Sequence, residues 1–401
     1  MLQHLPFILF CAFFPHDFMP RILSVCNVTL EEAFVKYTLI QTIAYYSLLG
    51  GFSIIRGSNK TEVIKRKYAL NVKVLLYLSI LFYAVGLGAY FVFLSRIGGL
   101  QYLLNHISEK VMLQRGQYVL GLLNLFYIVP LMLMLRLSYT KYVGDKIFLV
   151  LSIITYLFIA NSLGAREPTI VFVALLIIGY NYIFKPIVLS KKTFLRVAAL
   201  VPFFIAYMMV VPFLRHDFKD DFATELSLHK MVKRYVYQTS YVYIDVFCCN
   251  YFNKDRKWGM DGYFAPIVAI NAKGDKKDLP EVDQGVYFKS IVADKKYYKP
   301  PLPRGKLSVS SWPTENFGFA YANFLLPGIV FFYFLQGIII GLVYKWRNMF
   351  HKNVVLIVLY VYVLLYFNFS SLRIAFFVKT LPLLFLCMLV YNKFVLLETK
   401  K

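Results

Sequence analysis

Apolar residues dominate this chain in nine long stretches, at 34–55, 73–95, 117–137, 146–163, 168–185, 194–214, 318–344, 353–369 and 374–392. Each approaches or exceeds the roughly 17 to 25 residues with which an α-helix crosses a ~30 Å hydrocarbon core. Between the sixth and seventh stretches the pattern breaks. From Arg215 to Tyr321 the chain is rich in Lys, Asp, Tyr and Gly. A further apolar run, Leu5 to Phe14, falls short of the ~20 residues a span needs. It reads as a half-span, an interfacial segment or the remnant of a first helix. It has no basic flank or small-residue cleavage site, which argues against a cleaved signal peptide. The pattern predicts an all-α polytopic membrane protein of nine to ten transmembrane helices with one large water-side loop. Its divisions are an N-terminal bundle (1–214), the loop (215–320) and C-terminal helices (321–401).

Composition agrees. Of 401 residues, 59% are hydrophobic and 16% charged, against about 45–50% and 25% in soluble domains. The net charge of +23 does not point to nucleic acid, because excess Lys and Arg in a membrane protein gather in cytoplasmic loops. The connecting loops alternate accordingly. Arg56, Lys60, Lys65, Arg66, Lys67 and Lys73 face only Glu62 in the first connection. Arg136, Lys141 and Lys146 face Asp145 in a second, while 185–196 and 345–352 carry cations and no acid. Intervening loops have a smaller positive excess. The alternation predicts a cytoplasmic C-terminus and a 215–320 loop on the opposite, periplasmic face of a bacterial inner membrane.

Single arginines then stand out at the ends of spans on that outer side. Arg166 lies in the tight hairpin Gly164-Ala165-Arg166-Glu167-Pro168, and Arg373 follows Ser370-Ser371-Leu372 in another. Arg96 precedes Ile97-Gly98-Gly99-Leu100, Arg115 closes the same connection, and Arg215 opens the large loop. A cation at a membrane edge either snorkels to water or has a functional partner. Arginine suits a lipid diphosphate, since its planar fork donates two parallel charge-assisted hydrogen bonds.

Within the loop, 226–247 reads as an amphipathic helix, with His229 and Lys233 one turn apart and Lys230 and Arg234 likewise. Alternation at Tyr235-Val236-Tyr237 and Tyr241-Val242-Tyr243 also permits a strand. Lys233, Arg234 and Trp312 are candidates to contact a glycan. His216 beside Asp217, His229 and Glu315 are candidates for a general base, with no ranking among them. Walker, GxGxxG and HExxH patterns are absent, and no His/Cys set has metal-ligand spacing, so neither cofactor nor metal is expected. The five cysteines read as small apolar fillers.

Four places together resemble the bacterial O-antigen (oligosaccharide repeat-unit) polymerase family: Arg96-Ile97-Gly98-Gly99-Leu100 with Arg115, the Gly164-Ala165-Arg166 hairpin, Glu315-Asn316-Phe317-Gly318 with Gln336-Gly337 and Gly341, and Arg373 before the last span. Nothing before residue 34 contributes. The resemblance implies a membrane glycosyltransferase of C-type architecture working on glycan repeat units carried by undecaprenyl diphosphate. It would move the growing chain from its lipid diphosphate to the non-reducing-end hydroxyl of a fresh lipid-linked unit. Arg166 and Arg373, supported by Arg96 and Arg215, would hold the leaving diphosphate. Glu315, His216 or His229 would accept the hydroxyl proton. Partners implied are membrane lipids, a chain-length regulator and a flippase, and not nucleic acid. Alternatives are an O-antigen ligase and a flippase or exporter of lipid-linked sugar.

Overall fold

A computed structural model describes residues 24–57, 68–106, 113–114, 117–164, 166–184, 190, 195, 242–269, 277–307, 311–312, 316–350 and 352–398. Helices make up nearly all of it: α1 (Leu30–Gly57), α2 (Val72–Ile97), α3 (Leu100–Asn105), α4 (Leu125–Thr140), α5 (Val143–Ser162), α6 (Arg166–Ile183), α7 (Val242–Tyr251), α8 (Gly259–Val268), α9 (Gln284–Asp294), α10 (Asn316–Met349), α11 (Val354–Leu365) and α12 (Ser371–Phe394). Among the described residues, six helical stretches are long and apolar enough to cross a membrane: Leu30–Ile55, Val72–Ile97, Tyr118–Thr140, Val143–Ser162, Asn316–Met349 and Ser371–Phe394. Shorter apolar helices occupy Pro168–Ile183 and Val354–Leu365. The protein is thus a mainly helical, polytopic membrane protein. Residues 5–14 and nearly all of the 194–214 stretch lie outside the described residues. One element was not expected from the pattern: β1 (Tyr68–Leu70) pairs antiparallel with β2 (Leu396–Glu398).

The chain divides into two compact units. One draws on Glu62–Leu226, Val343–Leu365 and Lys379–Lys401. At its centre α4 is buried on nearly every side, which an apolar helix achieves only when other helices surround it. Tyr127 hydrogen-bonds Tyr156 at 2.7 Å, and Phe172 and Tyr362 pack on the same rings. One end of this unit ties together segments that charge alternation assigns to a single side. The β1–β2 pair joins the start of α2 to the end of α12, Asn71 N–H donates to the Val395 carbonyl, and Arg136 donates to the Val72 carbonyl and to Asp145. Asn353 meets Asn392 at 2.8 Å there. At the other end Arg96 donates to Gln117 at 3.3 Å and Gln114 to the Leu163 carbonyl at 3.2 Å, joining two connections assigned to the opposite side.

The other unit draws on Met1–Thr61, Ser227–Leu342 and Tyr366–Val378. Much of the polar loop belongs here, and its described part is folded around a core. Tyr243, Phe247, Trp258, Phe288, Ile291 and Trp312 are buried together with Ala33, Tyr37 and Ala44 of α1. The expected amphipathic helix over 226–247 is corrected where it can be seen. Residues 242–247 are helical but buried on all sides, so neither a solvated face nor a strand exists there. The loop's hydrophobics are interleaved with charge in sequence, and three separate helices are needed to pool them into one core.

A second correction concerns 318–344. The stretch Asn316–Met349 is two helical arms, broken at Leu325, which has φ 59° and ψ −145° two residues before Pro327. Asn316 Nδ2 lies 2.9 Å from Gln336 Oε1, whereas twenty residues of straight helix would hold them about 30 Å apart. Residues 316–324 therefore fold back against 326–349, and Phe319 and Phe324 pack on Phe332. Gly328 makes the reversal possible, since a Cβ there would lie 2.5 Å from the Ala320 carbonyl oxygen. Only 326–349, about 36 Å of helix, is left to cross a membrane.

This crossing helix meets α1 backbone to backbone. A Cβ on Gly337 would sit 2.1 Å from the Leu48 carbonyl oxygen, and one on Gly51 would sit 2.0 Å from that of Phe334. Small residues permit such approach between membrane helices. Gly337→Val is expected to destabilise the protein by about 1–3 kcal/mol through forced separation of the two helices, read as a lowered thermal midpoint in detergent. Gly88→Val, at a position with open space, should leave that midpoint unchanged.

Candidate functional site

The hairpin before α12 is held from below by two amides. Asn316 Oδ1 accepts from the Phe369 N–H at 3.3 Å, and Gln336 Nε2 donates to the Phe367 carbonyl at 2.8 Å. Asn368 Oδ1 closes the turn by accepting from the Ser370 N–H at 3.0 Å and hydroxyl at 2.6 Å. Gln336 lies about three helical turns past the reversal at Leu325, roughly 16 Å along the crossing helix. The amide network thus sits well below the end of that helix. Because 316–324 folds back, the Asn316 that follows Glu315 in sequence meets Gln336 rather than heading a straight span.

Arg373 stands in the first turn of α12, half-buried, its guanidinium 5.3 Å from the Tyr366 ring centroid. The first turn of a 24-residue helix adds partial positive charge from its N–H groups. Two residues before Arg373, the Ser371 hydroxyl donates to the Val282 carbonyl at 2.6 Å. That bond joins the arginine's helix to a cluster of charge from the polar loop.

In the cluster, residues 277–281 and 302–305 pair edge to edge. Glu281 N–H donates to the Leu302 carbonyl and Arg304 N–H to the Leu279 carbonyl, each at 3.0 Å. This pairing sets Arg304 in an ion pair with Glu281. The other Glu281 oxygen accepts from the Asp283 N–H at 2.9 Å, and Asp283 in turn caps α9 by accepting from the Gly285 N–H at 2.9 Å. Residues 311–312 cross directly over Gly285, where a Cβ would overlap the Trp312 carbonyl. Burial pushes the Asp283 carboxyl up to about 6, against the opposing pull of hydrogen bonds from Ser311 and Gly285; Glu281 raises it further and Arg304 lowers it. A carboxylate poised near neutrality can accept a proton under working conditions. A guanidinium in the first turn of a helix can hold an anion. The Ser371–Val282 bond ties the helix that carries Arg373 to the segment that carries Asp283.

Compared with known proteins, the chain matches no family model, no curated sequence and no solved structure. Its chemistry is therefore read from its own residues.

Of the described residues singled out in sequence, Arg373 lies on the helix bonded to this cluster through Ser371, and Trp312 crosses over Gly285 within it. Arg96 belongs to the other unit, exposed, with Gln117 as its hydrogen-bond partner. Arg166 begins α6 in that unit. Trp312 is a core residue: it is buried, with Tyr243 and Phe247 edge-on to its ring at 5.5 and 6.1 Å. Packed this way, its ring serves the core rather than a sugar. Arg115, Arg215, His216, His229, Lys233, Arg234 and Glu315 lie outside the described residues. Sequence reasoning passed over Asp283, Glu281 and Arg304. The available signal was a pair of acids after Pro280 in a basic region, with Asp283 placed as a helix N-cap.

Replacing Gln336 with Leu is expected to leave the Phe367 carbonyl and the Asn316 amide without a partner, at a cost of about 1–3 kcal/mol each if both stay buried. Faster proteolysis within 366–371 in detergent is the corresponding readout, and an unchanged cleavage rate would contradict the clamp.

Proposed function

We propose that the protein is a polymerase of lipid-linked oligosaccharide repeat units. It transfers a growing glycan from undecaprenyl diphosphate to the non-reducing-end sugar of an incoming lipid-linked unit, on the periplasmic face of a bacterial inner membrane. The observation that supports this reading is the bond between Ser371 and Val282, which ties the helix bearing Arg373 to the segment bearing Asp283, a carboxylate of raised pKa. Glycosyl transfer from a lipid diphosphate needs both. The bond from the anomeric carbon to the diphosphate oxygen breaks, and charge builds on that oxygen. Arg373 stabilises it. The acceptor hydroxyl forms the new bond to the anomeric carbon and gives up its proton, which Asp283 accepts. Glu281, fixed by Arg304, keeps the carboxylate's neighbourhood acidic and so keeps its proton affinity high.

The reaction has two lipid diphosphates, one on the donor and one on the acceptor. Arg96 and Arg166 are further candidates to hold a lipid diphosphate. Expected partners are the two lipid-linked glycans, with a flippase upstream and a chain-length regulator alongside. The test is reconstitution of the purified chain in vesicles with undecaprenyl-diphosphate-linked repeat units. Products of two or more units, with release of undecaprenyl diphosphate, support the reading. Transfer only to a lipid A core acceptor would replace it with ligation, and movement of the lipid without new bonds would replace it with transport.

A further inference from the structure

Helix α8 is built inside out. Trp258 before it, and Gly262 and Pro266 within it, are buried, while Met260, Phe264 and Val268 are 63%, 53% and 78% exposed. These three recur every fourth residue and so form one stripe. Asp261 is the only charged side chain of the helix. The stripe borders an open cleft of about 650 Å³ closed on its far side by Pro280 and Pro301. Water is a poor solvent for such a face, and a contiguous exposed patch of this kind marks an interaction surface.

Two observations identify what covers it. The first is continuity. Tyr263, one residue from the stripe, stacks on Phe332 of the crossing helix at 5.3 Å. That helix exposes Leu326, Val330 and Phe331, so the apolar face of α8 adjoins the apolar flank of a membrane span. The second is charge. Trp258 Nε1 donates to the Tyr298 carbonyl at 2.9 Å and the Tyr297 hydroxyl to the Lys257 carbonyl at 3.5 Å, which sets segments 253–258 and 294–299 side by side at the start of α8. Their exposed cations are Lys254, Arg256, Lys257, Lys295, Lys296 and Lys299, against the acids Asp255 and Asp294. An apolar stripe with a basic rim is the pattern of a helix lying in the interface of an anionic bilayer.

We propose that α8 is a membrane-docking helix, with Met260, Phe264 and Val268 in the acyl region and the basic rim against anionic headgroups. The region that the sequence marks as a water-side loop is then moored to the bilayer at a point besides its two ends. The inference stands apart from any reading of the chemistry.

A photoreactive p-benzoylphenylalanine placed at Phe264 or Val268 tests it, with the chain reconstituted in vesicles of phosphatidylglycerol or phosphatidylcholine. After irradiation, mass spectrometry is expected to find lipid adducts at both positions and far fewer with the probe at Asp255. Adducts should be more abundant in phosphatidylglycerol. Substituting Lys254, Arg256 and Lys257 with Ala should lower the ratio of docked to undocked helix about fivefold per cation removed, in phosphatidylglycerol only. Adduct levels at Phe264 and Val268 no higher than at Asp255 would overturn the proposal. So would adducts to a second copy of the chain in place of lipid. Both probe positions are exposed, so the labelled proteins should fold, as a monodisperse elution profile in detergent will report.

Discussion

Replacing Arg373 with Ala is expected to abolish polymerisation while leaving the protein folded. In cells the surface polysaccharide ladder should collapse to a single repeat unit. In vesicles the rate should fall about 10²–10³-fold, the usual consequence of deleting one preorganised donor to a developing negative charge. The hairpin is pinned by Asn316, Gln336 and Asn368, whose bonds the substitution leaves in place. Arg373→Lys keeps the charge and loses the two-pronged donor, so its rate should lie between those of the native protein and the Ala variant. Arg304→Ala is the useful contrast. Its guanidinium is engaged by Glu281, so its loss should disturb the carboxylates before it disturbs diphosphate binding, raising the apparent pKa of the pH–rate profile rather than KM for the lipid-linked donor. An unchanged ladder from Arg373→Ala would remove the arginine from the mechanism. Loss of even the single-unit band would point to ligation or flipping instead of polymerisation.

Why Arg373 was legible in sequence and Asp283 was not follows from how each is placed. Arg373 interrupts an apolar stretch, and a cation among membrane-spanning residues announces itself. Asp283 is one acid among many charges in the polar region, and its burial depends on segment 311–312 crossing Gly285. No local pattern encodes that crossing. The same contrast holds for the fold. The apolar runs marked helices well, because a spanning helix needs only length and hydropathy. They could not show that 316–324 folds back on 326–349, since both arms are apolar and the reversal rests on one non-helical residue, Leu325, ahead of Pro327. Nor could periodicity show that α7 is buried all round. Its tyrosines and Asp245 resemble a polar face in sequence, and only the packing of α1 and α9 around it makes them interior. The short β1–β2 pairing joins segments more than three hundred positions apart, so it too has no local signature.

Asp283→Asn should separate proton transfer from structure at this site. An amide oxygen still accepts from the Gly285 N–H, so the cap on α9 is kept, but the side chain can no longer take a proton. The rate is expected to drop about 10²–10⁴-fold, the range for loss of a positioned general base. The pH dependence carries the sharper information. With the Asp283 carboxyl at about 6, the native rate should climb as pH rises through that value and level off above it, because only the ionised form accepts a proton. Stability should move the other way. The folded carboxyl holds its proton more tightly than an unfolded Asp, whose pKa is about 3.9. Its contribution to stability is therefore greatest below the unfolded value and is lost as pH rises through about 6. The native protein should unfold at a higher temperature at pH 4.5 than at pH 7.5, and Asp283→Asn should shrink that difference. A residue that only capped a helix would leave the rate profile of the Asn variant parallel to the native one. A flat profile, together with a smaller stability difference, would place on Asp283 both the strain of burial and the proton transfer for which that burial prepares it.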